Sequence, residues 1–313
     1  MPKTHTGGDT PWDTCREWTI PSVHVCWKIW GWSRAAWTTG FYLDNGIHLD
    51  AGHGKFSSAE KCPRAALVTH GHSDHCQGSL SIISRQTREM KKTGTGFPQK
   101  HTPIFSFPSN HKQRLLDLWY ASKRMDVADG TTACDPDIVI PDFRFVRGGE
   151  VFDIEEQGTH QNVRVEVIPL DHSVQTVGYI LSVCKVTDHD MHVFNIGRNQ
   201  RKKEAQRARN ELGLTGKNIR EHLDRMVADG TLSPATGPPK TVFPILGYIT
   251  DTSIEPFCND AWLSKVMSCE CVMVECSFLP KHGELGKKHI CWTDLKPVIV
   301  AHPDVTFVLI HWS

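Results

Sequence analysis

Apolar residues recur along the chain in patterns that predict many strands separated by helices. Residues 41–43 and 47–49 are short apolar segments joined by Asp44-Asn45-Gly46, and such a turn predicts a β-hairpin. Residues 18–30 predict an earlier strand pair that ends at Gly31-Trp32-Ser33. The other predicted strands are apolar and partly β-branched, and they cover residues 66–69, 104–107, 163–170, 178–186, 192–196, 242–250, 271–275 and 306–310. Helical patterns cover residues 77–85 and 113–125, so the order of elements favours a layered α/β protein.

Polar residues of metal-ligand type follow three of the predicted strands. His172 comes after residues 165–170 with Asp171 between them, Asp251 follows residues 245–250, and His311 follows residues 305–310. A strand end holds a side chain on rigid backbone, which is what a preorganised binding site requires. These three residues are therefore candidate ligands.

The densest group of ligand-type residues lies at residues 70–75, which read His-Gly-His-Ser-Asp-His. This segment follows the predicted strand 66–69, and Ser73-Asp74 offers N-cap oxygens for the predicted helix 77–85. On one helix, residues two apart would point to different faces, whereas a strand-to-helix turn lets four side chains converge. Imidazole nitrogen and carboxylate oxygen are ligands that zinc prefers, so the spacing predicts a metal site at this turn.

The charge balance of the chain is neutral overall and uneven along its length. Lys+Arg and Asp+Glu both number 35, so no global basic field indicates nucleic-acid binding and any such binding needs a local patch. Residues 198–225 hold nine basic and four acidic residues in a helix-permissive sequence. This run either contacts phosphates or forms a solvated helix face. We expect one domain over residues 1–313, with 198–240 as a basic insert or connector.

Cysteine usage and hydropathy bear on the cellular compartment. The chain has 11 cysteines, an odd number, without a Cys-x-x-Cys pair. It shows no basic-then-apolar segment at its start and no run of 18 apolar residues. These features favour free thiols in the reducing cytoplasm and predict no membrane segment.

The residue 70–75 motif resembles the signature of the metallo-β-lactamase-fold hydrolases. The later segments resemble, in order, those of ribonuclease Z, the tRNA 3′-processing endonuclease, and its relatives. Asp171-His172 followed by Gly178-Tyr179 resembles the third motif of that family, and residues 249–252 resemble its Gly-Asp-Thr segment. Residues 274–278 resemble its His-Glu-Ala-Thr-Phe segment, and residues 310–313 resemble its His-Phe-Ser segment. The resemblance extends from about residue 30 to the end of the chain.

The resemblance implies a fold, a metal content and a ligand set. The fold would be the four-layer αββα metallo-β-lactamase sandwich, and two zinc ions would bind per chain. One ion would bind to His70, His72 and His172. The second would bind to Asp74, His75 and His311, and Asp251 would bridge the two ions.

His289 separates this chain from ordinary β-lactamases. Residues 287–293 resemble the segment that carries an additional histidine in ribonuclease Z, where it supports phosphoester cleavage. In the mechanism we expect, a metal-bridging hydroxide attacks phosphorus and His289 protonates the departing ribose oxygen. Glu275 would orient His289, and Asp74 could accept a proton from the bridging water. The 5′ fragment would keep a 3′-hydroxyl.

The chain departs from the family pattern in several places. Thr250 replaces the usual glycine, the histidine before Glu275 is missing, and the interval between His172 and Asp251 lacks the Gly/Pro-rich pattern of the tRNA-binding arm. Residues 188–192, which read Asp-His-Asp-Met-His, lie between two predicted strands and predict a hairpin turn rather than a metal site.

Three functions are compatible with these observations. The leading prediction is a zinc-dependent RNA phosphodiesterase that acts on precursor tRNA. The second is a hydrolase of a β-lactam or another amide or ester, which would use the same centre and could be a second activity. The third is a non-catalytic scaffold or RNA-binding module. Homodimers are common in the family that the chain resembles.

Overall fold

A computed structural model of the chain describes residues 16–52, 63–83, 104–125, 142–155, 161–232, 240–279 and 288–312. The chain falls into two compact units. The larger unit combines Met1–Val183 with Pro244–Ser313, and the smaller unit is Cys184–Phe243.

The first sheet contains seven strands in sequence order, with antiparallel pairing from β1 to β4 and parallel pairing from β4 to β7. Its strands are β1 (Arg16–Thr19), β2 (Lys28–Arg34), β3 (Thr38–Leu43), β4 (Ile47–Leu49), β5 (Ala65–Leu67), β6 (Ile104–Pro108) and β7 (Asp142–Val146). The predicted hairpin at residues 41–49 is confirmed, and Gly46 has the positive φ of +84° that this turn requires.

The second sheet contains six strands in the order β13-β12-β11-β10-β9-β8. They are β8 (Val151–Ile154), β9 (Val163–Leu170), β10 (Thr176–Lys185), β11 (Thr241–Ile249), β12 (Cys271–Glu275) and β13 (Thr306–Ile310). Strands β8 to β10 pair antiparallel, whereas β11, β12 and β13 run parallel. The ends of the three parallel strands therefore meet at one edge of the sheet.

Within the larger unit, helices cover one face of each sheet. In chain order the helices are α1 (Ser73–Cys76), α2 (Lys112–Met125), α3 (Asp188–Glu211), α4 (Gly216–Ala228), α5 (Glu255–Cys258), α6 (Asp260–Met267) and α7 (Trp292–Ala301), and residues 79–83 are also helical. Helices α3 and α4 belong to the smaller unit. Trp119 of α2 packs with Phe105 of the first sheet, and Leu295 of α7 packs with Val272 of the second sheet.

The two sheets face each other across a buried layer. The hydroxyl of Tyr179 on β10 donates to the carbonyl oxygen of Val68 at 2.7 Å, and Tyr248 on β11 makes an edge contact with the ring of Phe41. Helix, sheet, sheet and helix thus form the predicted αββα arrangement, which confirms the fold class. Of the helices in the described residues, none is both long and apolar enough to cross a membrane.

Three local predictions were wrong. Residues 188–192 form the first turn of α3 rather than a hairpin turn, and residues 192–196 continue this helix instead of forming a strand. Thr187 and Asp190 form a capping box that starts the helix, and this local signal outweighs the β-branched character of residues 192–196. Strand β2 also continues through residues 31–33 to Arg34, because Gly31 pairs with Phe41.

The helix after residues 70–75 also begins differently from the prediction. Helix α1 starts at Ser73 with His72 as its N-cap, and no side chain caps it. Residues 77–78 form a turn before the helical residues 79–83, and the predicted end at residues 84–85 lies outside the described residues. Asp74 does not cap the helix because its carboxylate is engaged elsewhere in the site.

Candidate metal centre

Unusual backbone conformations gather at the strand ends that carry the candidate ligands. Among the described residues, four other than glycine have positive φ: Ala36 (57°), Asp50 (56°), Asp251 (45°) and His311 (62°). Asp50 and His311 directly follow β4 and β13, and Asp251 lies two residues after the end of β11, while the amide of Ala36 donates to Asp74 Oδ2 at 3.1 Å. Left-handed backbone at residues other than glycine is strained and tends to occur at functional sites.

A first group of donor atoms lies between β5, β9 and β11. His70 Nε2 is 3.1 Å from His72 Nδ1, which is 3.4 Å from His172 Nε2. Asp251 Oδ2 completes the group at 3.5 Å from His70 Nε2 and 3.8 Å from His172 Nε2. The structure therefore brings together the four residues that the resemblance to ribonuclease Z assigned to the first ion.

A second group lies beside the first and shares Asp251 with it. His75 Nε2 is 3.3 Å from His311 Nε2 and 3.5 Å from Asp74 Oδ2, and His311 Nε2 is 3.6 Å from Asp74 Oδ2. The other carboxylate oxygen of Asp251, Oδ1, is 3.4 Å from His75 Nε2 and 3.2 Å from His311 Nε2. Asp251 thus offers one oxygen to each group.

The spacing of these atoms fits metal coordination. A tetrahedral zinc ion, bound at about 2.0–2.1 Å by nitrogen or oxygen, separates its ligand atoms by about 3.3 Å. The distances within both groups, from 3.1 to 3.8 Å, lie close to that edge length. Asp50, Asp74 and Asp251 are also buried, and buried carboxylates need nearby positive charge. The donor set therefore fits two divalent ions.

Most of the histidines in the two groups also bond through the ring nitrogen that faces away from the group. His70 Nδ1 lies 3.1 Å from Thr69 Oγ1, and His75 Nδ1 lies 2.8 Å from Asp50 Oδ2. His172 Nδ1 lies 3.1 Å from the carbonyl oxygen of Lys288, and His311 Nδ1 lies 3.1 Å from Ser277 Oγ. Such outer bonds fix the tautomer and the ring direction of a metal-binding histidine.

Asp50 makes several of these outer contacts, although no role was predicted for it from the sequence. Its Oδ1 accepts from the Thr69 amide at 2.7 Å and from Thr69 Oγ1 at 2.9 Å. Its Oδ2 accepts from Tyr248 Oη at 2.8 Å and pairs with His75 Nδ1. Its position in the sequence could have indicated this role, because Asp50 follows an apolar strand as the candidate ligands do.

The Asp50→Asn variant is expected to lower metal affinity about 10–100-fold, which is the usual effect of losing an outer-shell partner of a metal ligand. The amide nitrogen cannot accept the hydrogen bonds that the Asp50 carboxylate receives from Tyr248 and His75. Competition between the protein and a chromogenic chelator measures this affinity. Asp44→Asn, in the neighbouring hairpin turn, is the control, and equal affinities for the two variants would contradict a role for Asp50.

Close backbone packing holds α1 against the first sheet. A Cβ atom at Gly52 would lie 1.7 Å from the carbonyl oxygen of Asp74, so only glycine fits there. The amide of Ala51 donates to the carbonyl oxygen of His75 at 2.7 Å. These contacts fix the turn that presents Asp74 and His75.

His289 and Glu275 lie beside Asp251 and His311. His289 Nδ1 is 2.9 Å from Glu275 Oε2, and the His289 ring lies 4.8 Å from the ring of His172 and 5.9 Å from that of His311. Glu275 is fully buried, and it also accepts hydrogen bonds from the Thr252 amide and from Ser277 Oγ. Its direction is thereby fixed, and so is that of the imidazole it holds.

The protein environment shifts the pKa values of the site in two directions. Burial lowers the pKa of His70 and of His172, which favours the neutral imidazole that binds metal. At His289, burial also acts to lower the pKa, but the hydrogen bond and charge of Glu275 outweigh it and raise the pKa above its ordinary value. A raised pKa favours the protonated form of His289.

The likeness to proteins of known structure is consistent with this architecture. No protein-family model matches the chain, and no curated protein matches it. Among solved structures, it is similar to the metallo-beta-lactamase fold protein YhfI from Bacillus subtilis, with 12% identity over 91% of this chain and 86% of that chain and a TM-score of 0.51.

Two further solved structures are similar at lower scores. Human tRNase Z, short form, is 10% identical over 91% of this chain and 92% of that chain, with a TM-score of 0.47. A long form RNase Z from yeast is 10% identical over 92% of this chain and 35% of that chain, with a TM-score of 0.44. Given its two sheets, its covering helices and the likeness to the Bacillus subtilis protein, the chain has the metallo-β-lactamase fold.

Proposed function

We propose that this protein is a metal-dependent hydrolase that cleaves phosphodiester bonds in RNA, with precursor tRNA as its substrate. The observation that carries this proposal is the His289–Glu275 pair beside two groups of metal-ligand atoms. Cleavage of a ribose ester requires a proton for the leaving oxygen, and an imidazole of raised pKa beside the two groups supports His289 as its donor.

Each candidate ligand has a defined part in this proposal. His70, His72 and His172 would hold one zinc ion, and Asp74, His75 and His311 the other, with Asp251 shared between them. When bound, two such ions supply an activated water and neutralise charge on the phosphate. The Ala36 amide donates to Asp74 Oδ2 and so orients this carboxylate, which would also accept the proton of that water.

His289 completes the reaction as the proton donor. Its Nδ1 is engaged by Glu275, so Nε2 is the nitrogen that carries the proton to the ribose oxygen. Because Glu275 is buried and bonded to Thr252 and Ser277, it holds the imidazole in one orientation throughout the reaction.

A hairpin tip beside Asp74 favours RNA over a small amide substrate. Trp37 is 60% exposed, and the guanidinium of Arg34 lies 4.4 Å from the centre of its ring. The amide of Ala36 in the same turn donates to Asp74, so this pair lies at the edge of the centre. Unpaired nucleotides bind by stacking on aromatic rings and by contacts of arginine with phosphate.

The smaller unit offers a further basic surface, which we propose contacts phosphates. Helices α3 and α4 pack together with Ala208 and Ile219 buried, and Arg207 and Lys217 are paired with glutamates on their own helices. Lys202 and Lys203 are exposed on α3. The sequence left open whether this run is a phosphate contact or a solvated face, and a binding measurement distinguishes the two.

Replacing Arg201, Lys202 and Lys203 together by glutamine is expected to flatten the salt dependence of RNA binding. Each lost phosphate contact reduces the slope of log K against log salt concentration by about 0.7–0.9. Fluorescence anisotropy over a salt series measures the slope. A control triple variant at Lys28, Arg164 and Lys265, which form ion pairs in the larger unit, should keep the wild-type slope. An unchanged slope in the α3 variant would remove this surface from the interface.

The proposed activity is tested with zinc-loaded protein and two RNAs of equal length, a 3′-extended precursor tRNA and an unstructured RNA. Chelator-sensitive cleavage at one position just 3′ of the acceptor stem is the expected result. Cleavage of both RNAs at many positions would indicate a nuclease without tRNA specificity. Absence of cleavage would overturn the proposal, and a chromogenic β-lactam would then test the amide alternative.

A further inference from the structure

The segment that carries His289 is attached to the metal centre just before this residue. The carbonyl oxygen of Lys288 accepts the hydrogen bond of His172 Nδ1 at 3.1 Å, and Lys288 Nζ donates to Asp171 Oδ1 at 2.6 Å. Lys288 therefore bonds to the side chains of two consecutive residues at the end of β9. One of them is a candidate metal ligand, and the other has no part in the ligand set.

Asp171 is itself held firmly, so it can act as an anchor. Its Oδ2 accepts from Ser253 Oγ at 2.7 Å, and its amide donates to Thr252 Oγ1 at 3.1 Å. Its carbonyl oxygen accepts from the Ser253 amide at 2.8 Å. These bonds join the end of β9 to the residues that follow Asp251, and they leave Asp171 Oδ1 directed at Lys288.

The far side of the His289 segment is attached by backbone bonds. The amide of Ser277 donates to the carbonyl oxygen of Ile290 at 3.1 Å, and the amide of Trp292 donates to the carbonyl oxygen of Phe278 at 2.8 Å. His289 thus lies between a backbone attachment on one side and Lys288 on the other. Loss of the Lys288 side chain would remove the bond to Asp171 and would leave the backbone attachment in place.

We propose that Lys288, through its ion pair with Asp171, is a positioning residue that sets the place of the His289 imidazole relative to the metal centre. This inference rests on the proposed function, in which His289 is the proton donor. The side chains of Lys288 and Asp171 are 44% and 41% exposed, and ion pairs this exposed contribute little to folding stability. We therefore expect the ion pair to affect the position of His289 rather than the stability of the fold. Small displacements of a catalytic group reduce rates strongly.

The position of His289 can be tested by comparing a substrate whose leaving group needs a proton with one whose leaving group does not. In RNA cleavage the bond between phosphorus and the ribose 3′-oxygen breaks, and that oxygen keeps the bonding electron pair and takes the His289 proton. Water provides the new oxygen on phosphorus, and its proton goes to Asp74. In bis(p-nitrophenyl) phosphate the leaving p-nitrophenolate is a weak base and departs without a proton. Misplacement of His289 therefore slows the first substrate far more than the second.

The test compares Lys288→Met, Lys288→Arg and wild type on RNA and on bis(p-nitrophenyl) phosphate, with zinc content measured in each. Lys288→Met is expected to lower kcat for RNA about 10-fold or more while KM changes less than about twofold, because the group acts through proton transfer. The loss with the activated diester should be several-fold smaller. Lys288→Arg should restore most of the RNA activity, since arginine can also pair with Asp171.

A second measurement needs neither metal nor substrate. In the metal-free protein, Lys288→Met should speed hydrogen exchange of the amides at residues 288–292, because one attachment of the segment is lost. Lys265→Met removes a similarly exposed ion pair with Glu166 and is the control for both measurements. It should leave cleavage and exchange at residues 288–292 unchanged.

The outcomes separate this inference from the proposed function. Equal losses on both substrates, loss of zinc, or no change in either measurement would overturn the positioning role of Lys288. If His289→Ala itself treats the two substrates alike, then the proposed proton donor is wrong and the inference fails with it. A selective effect of His289→Ala without a selective effect of Lys288→Met would overturn this inference alone.

Discussion

Asp251→Asn is expected to lower RNA cleavage by more than about 100-fold and to reduce the metal content below two ions per chain. Loss of an outer-shell partner alone costs about 10–100-fold, and Asp251 offers atoms directly to both groups. Its Oδ2 lies 3.5 Å from His70 Nε2, and its Oδ1 lies 3.2 Å from His311 Nε2. An asparagine amide nitrogen binds no zinc, so one group loses its shared donor.

Metal content by inductively coupled plasma mass spectrometry and cleavage of RNA measure these effects. Asp153→Asn is the matched control, because Asp153 is an exposed aspartate that pairs with Arg164 in the same unit. It should keep both ions and full activity. If Asp251→Asn also retained two ions with wild-type cleavage, the shared-donor arrangement would be excluded.

The second large effect is expected for His289→Ala, which should slow RNA cleavage about 10²–10⁴-fold with both ions retained. The reason is the loss of the proton donor that Glu275 holds at 2.9 Å. Hydrolysis of bis(p-nitrophenyl) phosphate should fall much less, because its leaving group needs no proton. Single-turnover cleavage measures the chemical step directly.

His302→Ala serves as the histidine control, since His302 lies at the end of α7 and has no part in the proposed site. Glu275→Gln should give a smaller loss than His289→Ala, because glutamine holds the imidazole but does not raise its pKa. Wild-type cleavage rates in His289→Ala would show that the proton comes from another group.

The ligand candidates could be predicted because their signals are local. His172, Asp251 and His311 each follow an apolar segment, and strands β11 and β13 run parallel, so the last two residues meet at one edge of the sheet. Residues 70–75 combine ligand-type residues with a strand-to-helix turn. Burial patterns and strand ends are readable from a short stretch of sequence, and they indicated a layered α/β protein and the candidate residues. The four-layer fold and the grouping of the candidates were implied by the resemblance to ribonuclease Z.

The supporting contacts could not be predicted because their partners are remote in sequence. Asp50 meets Tyr248, which lies 198 residues away, and Lys288 meets Asp171, which lies 117 residues away. No pattern along the chain links such residues before the sheets pack. The error at residues 192–196 has a different cause. The prediction followed a short β-branched stretch, although the capping pair at Thr187 and Asp190 that starts the helix is also visible in the sequence.

The left-handed residues around the centre imply that its geometry limits the stability of the whole protein. Such a conformation costs about 1–2 kcal/mol at a residue with a Cβ atom, and glycine would avoid that cost. Glycine can replace Ala36, because only the backbone amide of this residue contacts Asp74. Glycine cannot replace Asp50, Asp251 or His311, because each of these side chains is engaged in the site. Thermostabilisation of this protein can therefore use the turn at Ala36, whereas the strain at the other three positions is retained because their side chains belong to the candidate metal centre.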